Sequence, residues 1–218
     1  MTDQKRQYRL KRRAEAEQRT RLRITESTVE LHGTLGPART SISAVAQRAG
    51  VRRSTVYRHF PDEASLFSAC TSYWAAANPF PDFHRWVAIN DPAVRLMAAL
   101  GELYAHYRRT ERMMSNVLCD EATMPIVKRM LGGYRHYLTA ALDTLERGRR
   151  GRGRARLRVF AAIGHALSFG TWRSLAREQE LTDSQAADLM CRLVAAAAGN
   201  SARRRANSRA TKDRQRSD

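Results

Sequence analysis

The chain has 218 residues and a formal net charge of +18, from 39 Lys+Arg against 21 Asp+Glu, with 43% hydrophobic residues. That length supports one or two domains with a real core, no run approaches the roughly 20 apolar residues of a membrane span, and the basic N-terminus lacks the apolar stretch of a secretory signal. Cys70, Cys119 and Cys191 are an odd number without CxxC spacing, which points to a reducing, cytoplasmic setting and against a disulfide framework or zinc cluster.

Residues 1–18 form a basic arm, and the longer stretch 1–23 carries nine basic and three acidic side chains. The arm has three readings: a minor-groove reader, a nonspecific phosphate tether, or a solvated mobile tail. Ile24, Thr28, Leu31, His32 and Leu35 then follow a helical period, stopped by Gly36-Pro37. Ser41 is placed to cap a short helix with Ile42, Val45, Ala46 and Ala49 inward. Gly50 breaks it, and a third helix over about 52–59 packs Val56 and Phe60. Asp62 is a candidate cap for a longer helix through Leu66, Phe67 and Trp74, before the break Asn78-Pro79-Phe80-Pro81-Asp82.

Asp91-Pro92 opens a helix through Leu96, Leu100, Leu103 and Tyr107, with Pro in the first turn where the geometry favours it. A further helix is expected from Met124-Pro125 to about Glu146. The run 147–158, with seven arginines and no acid, then reads as a mobile connector that repels itself. A long helix is expected over about 154–178. Thr182-Asp183-Ser184-Gln185 reads as a capping box for a last helix with Ala186, Leu189, Met190, Leu193, Val194 and Ala197 on one face. Residues 201–218 read as a basic disordered tail. No strand alternation occurs, so the fold class is all-α.

The charge distribution is more informative than its total. The segments 1–23, 147–158 and 201–218 carry +6, +7 and +5 and account for the whole excess. Within the neutral remainder, residues 39–60 hold five arginines and no acid. A short helix, a glycine turn and a second short helix in that window make a helix-turn-helix. A helix entering the major groove must offer donors to base edges and cations to phosphates, and the second helix carries Arg52, Arg53, Ser54, Thr55, Tyr57, Arg58 and His59 without a carboxylate. No catalytic nucleophile–base pair, phosphate-binding loop or metal motif is evident, so no cofactor and no enzyme activity is expected.

The pattern Ile42-x-x-Val45-Ala46-x-x-Ala49-Gly50-Val51-x-x-x-Thr55-x-Tyr57-x-His59-Phe60 resembles the TetR family of bacterial transcriptional regulators, without gaps from Ile24 to Phe67. The resemblance implies an all-α protein of about nine helices: a helix-turn-helix domain over 19–61 and a ligand-binding and dimerisation domain over 62–200. It implies DNA contacts from Arg39, Thr40, Ser41, Arg52, Arg53, Ser54, Thr55 and Arg58, with Tyr57 and His59 on phosphates. It further implies a homodimer through the last two helices, a palindromic duplex operator, and repression relieved by a small-molecule effector.

The sequence departs from the family pattern at four places. Arg52 replaces a capping Ser, Glu63 replaces a phosphate-reaching Lys, His32 takes an aromatic core position, and Pro37 replaces an aromatic after the turn glycine. Candidate effector contacts are Trp74, Trp86, Tyr104, Tyr107, Met114, Tyr137, Phe169 and Trp172, with core packing as the competing reading of each. Asp120 and Glu121 read as solvated polar residues. The alternative function is a sequence-tolerant, architectural DNA-binding protein that uses the +18 charge to coat duplex.

Overall fold

The computed structural model describes residues 2–149 and 152–214, with 2, 3 and 199–214 described by backbone alone. Every regular element among them is helical. In order they are α1 (Thr2–Thr34), a 3-10 turn (Pro37–Arg39), α2 (Ile42–Arg48), α3 (Arg53–His59), α4 (Glu63–Ala77), α5 (Phe83–Val87), α6 (Pro92–Asp120), α7 (Pro125–Met130), α8 (Gly132–Glu146), α9 (Arg154–Leu167), α10 (Phe169–Arg173), a π-helical turn (Ser174–Glu178) and α11 (Asp183–Arg214). The chain divides into two compact units, Met1–Pro79 with Thr110–Gly132, and Phe80–Arg109 with Gly133–Asp218.

In the first unit, α1 begins far upstream of the apolar stripe that announces it. Residues 2–32 contain no Gly or Pro and are rich in Arg, Glu and Gln, so the helix has nothing to stop it before burial begins at Ile24. Ile24, Val45, Ala46, Ala49, Val56, Phe60, Leu66 and Cys70 form one core, flanked by Ile42 and Val51. The expected caps are present: Ser41 Oγ accepts the Ala44 amide at 3.2 Å and Asp62 Oδ1 the Ser65 amide at 2.7 Å. Between α2 and α3 the Gly50 amide donates to Gln47 O and the Val51 amide to Ala46 O. This paired closure puts Gly50 at φ 62, a conformation that favours glycine.

The end of α1 is held by α6. Asn116 Nδ2 donates to His32 O and Gly33 O, at 3.1 and 3.0 Å, and Asp120 Oδ2 accepts the Ala38 amide at 2.9 Å. Asp120, half-buried, is therefore also a turn-holding acceptor, a role beyond the solvated residue expected from sequence. Gly36 sits at φ 90, where a Cβ would lie 3.0 Å from Asp120 Oδ2. His32 takes the aromatic's place by packing its ring on Phe67, tilted at 40° with centroids 4.8 Å apart, and Pro37 is buried at the first position of the 3-10 turn.

In the second unit, Asp91 Oδ1 accepts the Ala93 and Val94 amides, and these bonds hold its carboxyl below the usual carboxylate range. Arg95 is buried, yet its guanidinium donates to the carbonyls of Ile89, Asn90, Thr144 and Arg147. The 147–158 run is more than a repelling connector. Arg149 donates to Leu145 O and Pro92 O, and Arg156 pairs with Glu146; residues 150 and 151 lie outside the described residues.

Two expected helices are divided. The 124–146 segment becomes α7 and α8, parted at Leu131 before Gly132-Gly133. The 154–178 segment breaks at Ser168, which is extended (ψ 135), and ends in the π-helical turn. Thr182 and Gln185 make the expected reciprocal cap: the Thr182 amide donates to Gln185 Oε1 and the Gln185 amide to Thr182 Oγ1. α11 packs along α9 and continues as helical backbone to Arg214. The side chains of the expected 201–218 tail, and residues 215–218 altogether, lie outside the description.

Candidate nucleic-acid interface

The α3 helix has two unlike sides. Val56, His59 and Phe60 turn inward, while Arg52, Arg53, Ser54, Tyr57 and Arg58 are exposed and Thr55 is half-buried. The spacing is what a helix of 3.6 residues per turn produces when one side is anchored. Tyr57 is 47% exposed, with its ring on the outer side of α3. Arg52 precedes α3 without a capping side-chain bond, so the cap that Ser would provide is absent, as expected.

The far end of α3 is clamped from α1. The Arg21 guanidinium donates to His59 O, satisfying a helix-end carbonyl, and stands 4.1 Å from the centroid of the Phe60 ring. Sequence periodicity gave no hint of Arg21, because it lies on the flank of the α1 stripe and its partner is 38 positions away. The His59 ring is buried, with Nε2 unpartnered. Burial, then the neighbouring Arg58 charge, lower its pKa, so the ring is neutral near pH 7.

The flanking candidates make local bonds. Arg39 Nε donates to Leu35 O at 2.7 Å, Thr40 Oγ1 donates to Gly36 O at 2.8 Å, and exposed Ser41 caps α2. Of the five arginines in the acid-free window, Arg48 forms an ion pair with Glu30. Glu63 lies in the first turn of α4, just past α3. The arrangement therefore presents a short helix with one donor-rich, acid-free face, fixed at both ends by packing and by Arg21.

The candidate effector residues divide between the units. Trp74 and Met114 belong to the first; Trp86, Tyr104, Tyr107, Tyr137, Phe169 and Trp172 belong to the second. Tyr107 meets Tyr104, Phe169 and Trp172 at ring-centroid distances of 6.5, 5.3 and 5.9 Å. Tyr137 is joined to them through Phe80, 4.6 Å away, which also lies 5.6 Å from Tyr134. Trp86 is buried and donates to Glu102 Oε2. The phenols are committed to the fold: Tyr104 donates to Ala166 O and Tyr107 to Leu167 O, the carbonyls freed by the break at Ser168, and Tyr137 donates to Pro81 O.

Residues 24–70 match the family model of bacterial regulatory proteins, tetR family. No protein of curated function matches the sequence. The fold is similar to solved structures. One is a protein from Mesorhizobium loti assigned to the TetR family of transcriptional regulators (TM-score 0.56, 17% identity, covering 83% of this chain and 96% of that one). Another is a tetR-family transcriptional regulator from Streptomyces coelicolor (0.54, 18%, 81% and 78%). A third is a TetR-like transcriptional regulator from Rhodococcus sp. RHA1 (0.53, 18%, 80% and 93%). At these identities the likeness is one of fold.

Proposed function

We propose, from the match of residues 24–70 to the TetR family of bacterial regulatory proteins, that this chain is a homodimeric repressor of that kind, which leaves a palindromic operator when a small molecule binds. The observation that carries the DNA reading is the acid-free outer face of α3. Arg52, Arg53, Ser54 and Arg58 serve base edges and nearby phosphates, Tyr57 serves a phosphate, and Arg39, Thr40, Ser41 and Thr55 add contacts beside them. His59, expected from the resemblance to join them, has its ring buried on the inner side and is left out. The dimer reading is supported by Leu157 and Phe160 on α9 and Leu189 and Leu193 on α11, large apolar side chains left exposed on two helices that pack together. The effector reading rests on the resemblance, because the aromatic cluster around Tyr107 is close-packed and its phenols bond to backbone carbonyls. Such regulators act by binding and not by catalysis.

The test is selection of bound duplexes from random DNA by the full chain, followed by competition against bulk DNA at physiological salt. A specific regulator prefers its operator by roughly 10³ or more. Arg53→Ala is expected to weaken operator binding by about tenfold or more, the ~1–3 kcal/mol of a base-contacting arginine, and Tyr57→Phe to weaken it less, with the dimer intact. Wild-type binding in both variants would remove α3 from the interface. A preference near unity would favour the architectural, coating role.

A further inference from the structure

The matched family segment begins at residue 24, but α1 extends to Thr2, and residues 4–19 are all exposed. At 100° per residue, Lys5, Arg9, Arg12, Arg13, Arg19 and Arg23 fall within one arc of about 120°, and Glu15 and Glu17 fall outside it. Among the described residues none of these six cations has an acidic partner. From Lys5 to Arg23 the stripe is about 27 Å long, most of one turn of duplex. It is continuous with the segment of α1 whose Arg21 grips the end of α3.

We propose that the upstream part of α1 is a helical rail for DNA phosphates, engaging the backbone of the same duplex that α3 reads and adding affinity without sequence preference. The rail rests on the DNA-binding reading above. A helix of about 10–12 Å diameter does not enter a minor groove about 6 Å wide, so the helical state removes the minor-groove role open to an extended arm. A row of cations spaced about 1.5 to 9 Å apart along the helix axis (about 1.5 Å per residue) suits the repeating charge of a phosphodiester chain. Clustered like charges without acidic partners are relieved when such a chain replaces their counterions.

The experiment compares the full chain with the variant Arg9→Gln/Arg12→Gln/Arg13→Gln/Arg19→Gln, which removes charge but keeps helix-favouring side chains. Binding is followed by fluorescence anisotropy across a salt series, on the selected operator duplex and on a scrambled duplex of the same composition. Circular dichroism checks that the helix persists. The slope of log K against log salt is expected to become shallower by about 0.9 per phosphate lost, or about 3 to 4 in all. Affinity is expected to fall by the same factor on both duplexes, and Arg→Lys at the four positions to restore the slope. An unchanged slope would overturn the rail, and so would a loss confined to the operator, the mark of base reading. If the wild-type chain shows no operator preference, the regulator reading fails while the slope on the scrambled duplex still decides the rail.

Discussion

At the scale of single residues, one ring nitrogen pair in an apolar seat makes the first unit sensitive to acid. Burial drives the His32 pKa down from 6.5 to about 4, against the opposing pull of Asp120. The unfolded chain takes up that proton first, so the stability linked to neutral His32 is present above pH 6.5. It is lost as pH falls from about 6.5 towards 4, by an amount on the order of 3 kcal/mol. His32→Phe keeps an aromatic ring against Phe67 and removes the titration. The variant is expected to lose less stability than the wild type between pH 7 and pH 4.5, as measured by urea unfolding. Equal losses would place the acid sensitivity elsewhere.

Among the elements, α3 was legible in the sequence because its start, its turn and most of its inner face are set locally, the Arg21 clamp excepted. Ser41, Gly50 and Asp62 set the ends and the turn, and Val45, Ala46, Val56 and Phe60 set the inner face, all within about twenty residues. The break between α9 and α10 was not legible, because its cause is remote. Leu157, Phe160, Ile163 and Leu167 continue a helical period, yet Ser168 is extended and the freed Ala166 and Leu167 carbonyls are capped by Tyr104 and Tyr107, some 60 positions earlier. Tyr107 O–H also meets Tyr134 Oη at 3.0 Å. Tyr107→Phe therefore strands a buried carbonyl and weakens a second phenol, and is expected to cost about 1–3 kcal/mol in denaturant unfolding. A neutral effect would mean that the break stands without these caps.

For the whole molecule, the exposed apolar side chains on α9 and α11 set the assembly prediction. Leu157 and Leu193 are 68% and 50% exposed, and an isolated protomer gains nothing by exposing them. Leu157→Asp/Leu193→Asp is expected to shift sedimentation velocity from dimer to monomer and to weaken operator binding, since two half-sites then have to be held independently. A wild-type chain that sediments as a monomer would overturn the proposed dimer, and a dimer unchanged by the substitutions would overturn the assignment of its contact to α9 and α11. Charge at this scale reads differently from the total of +18. Arg95, Arg149 and Arg156 spend their charge on carbonyls and a carboxylate inside the second unit, whereas the α1 stripe and the α3 face keep theirs outward.

The sequence by itself determined the helical class and the helix-turn-helix with its caps, because helix periodicity, capping and turn chemistry act over a few residues; it counted His59 with the outward side of α3, where the structure buries the ring. Only the tertiary structure decided how far α1 runs as a helix, that Arg21 and α6 clamp the two ends of the reading domain's helices, that Asp120 is a structural acceptor, and where the long helices of the second unit break. Each of these depends on which polar group far along the chain satisfies an exposed carbonyl or amide, and no local pattern records that pairing.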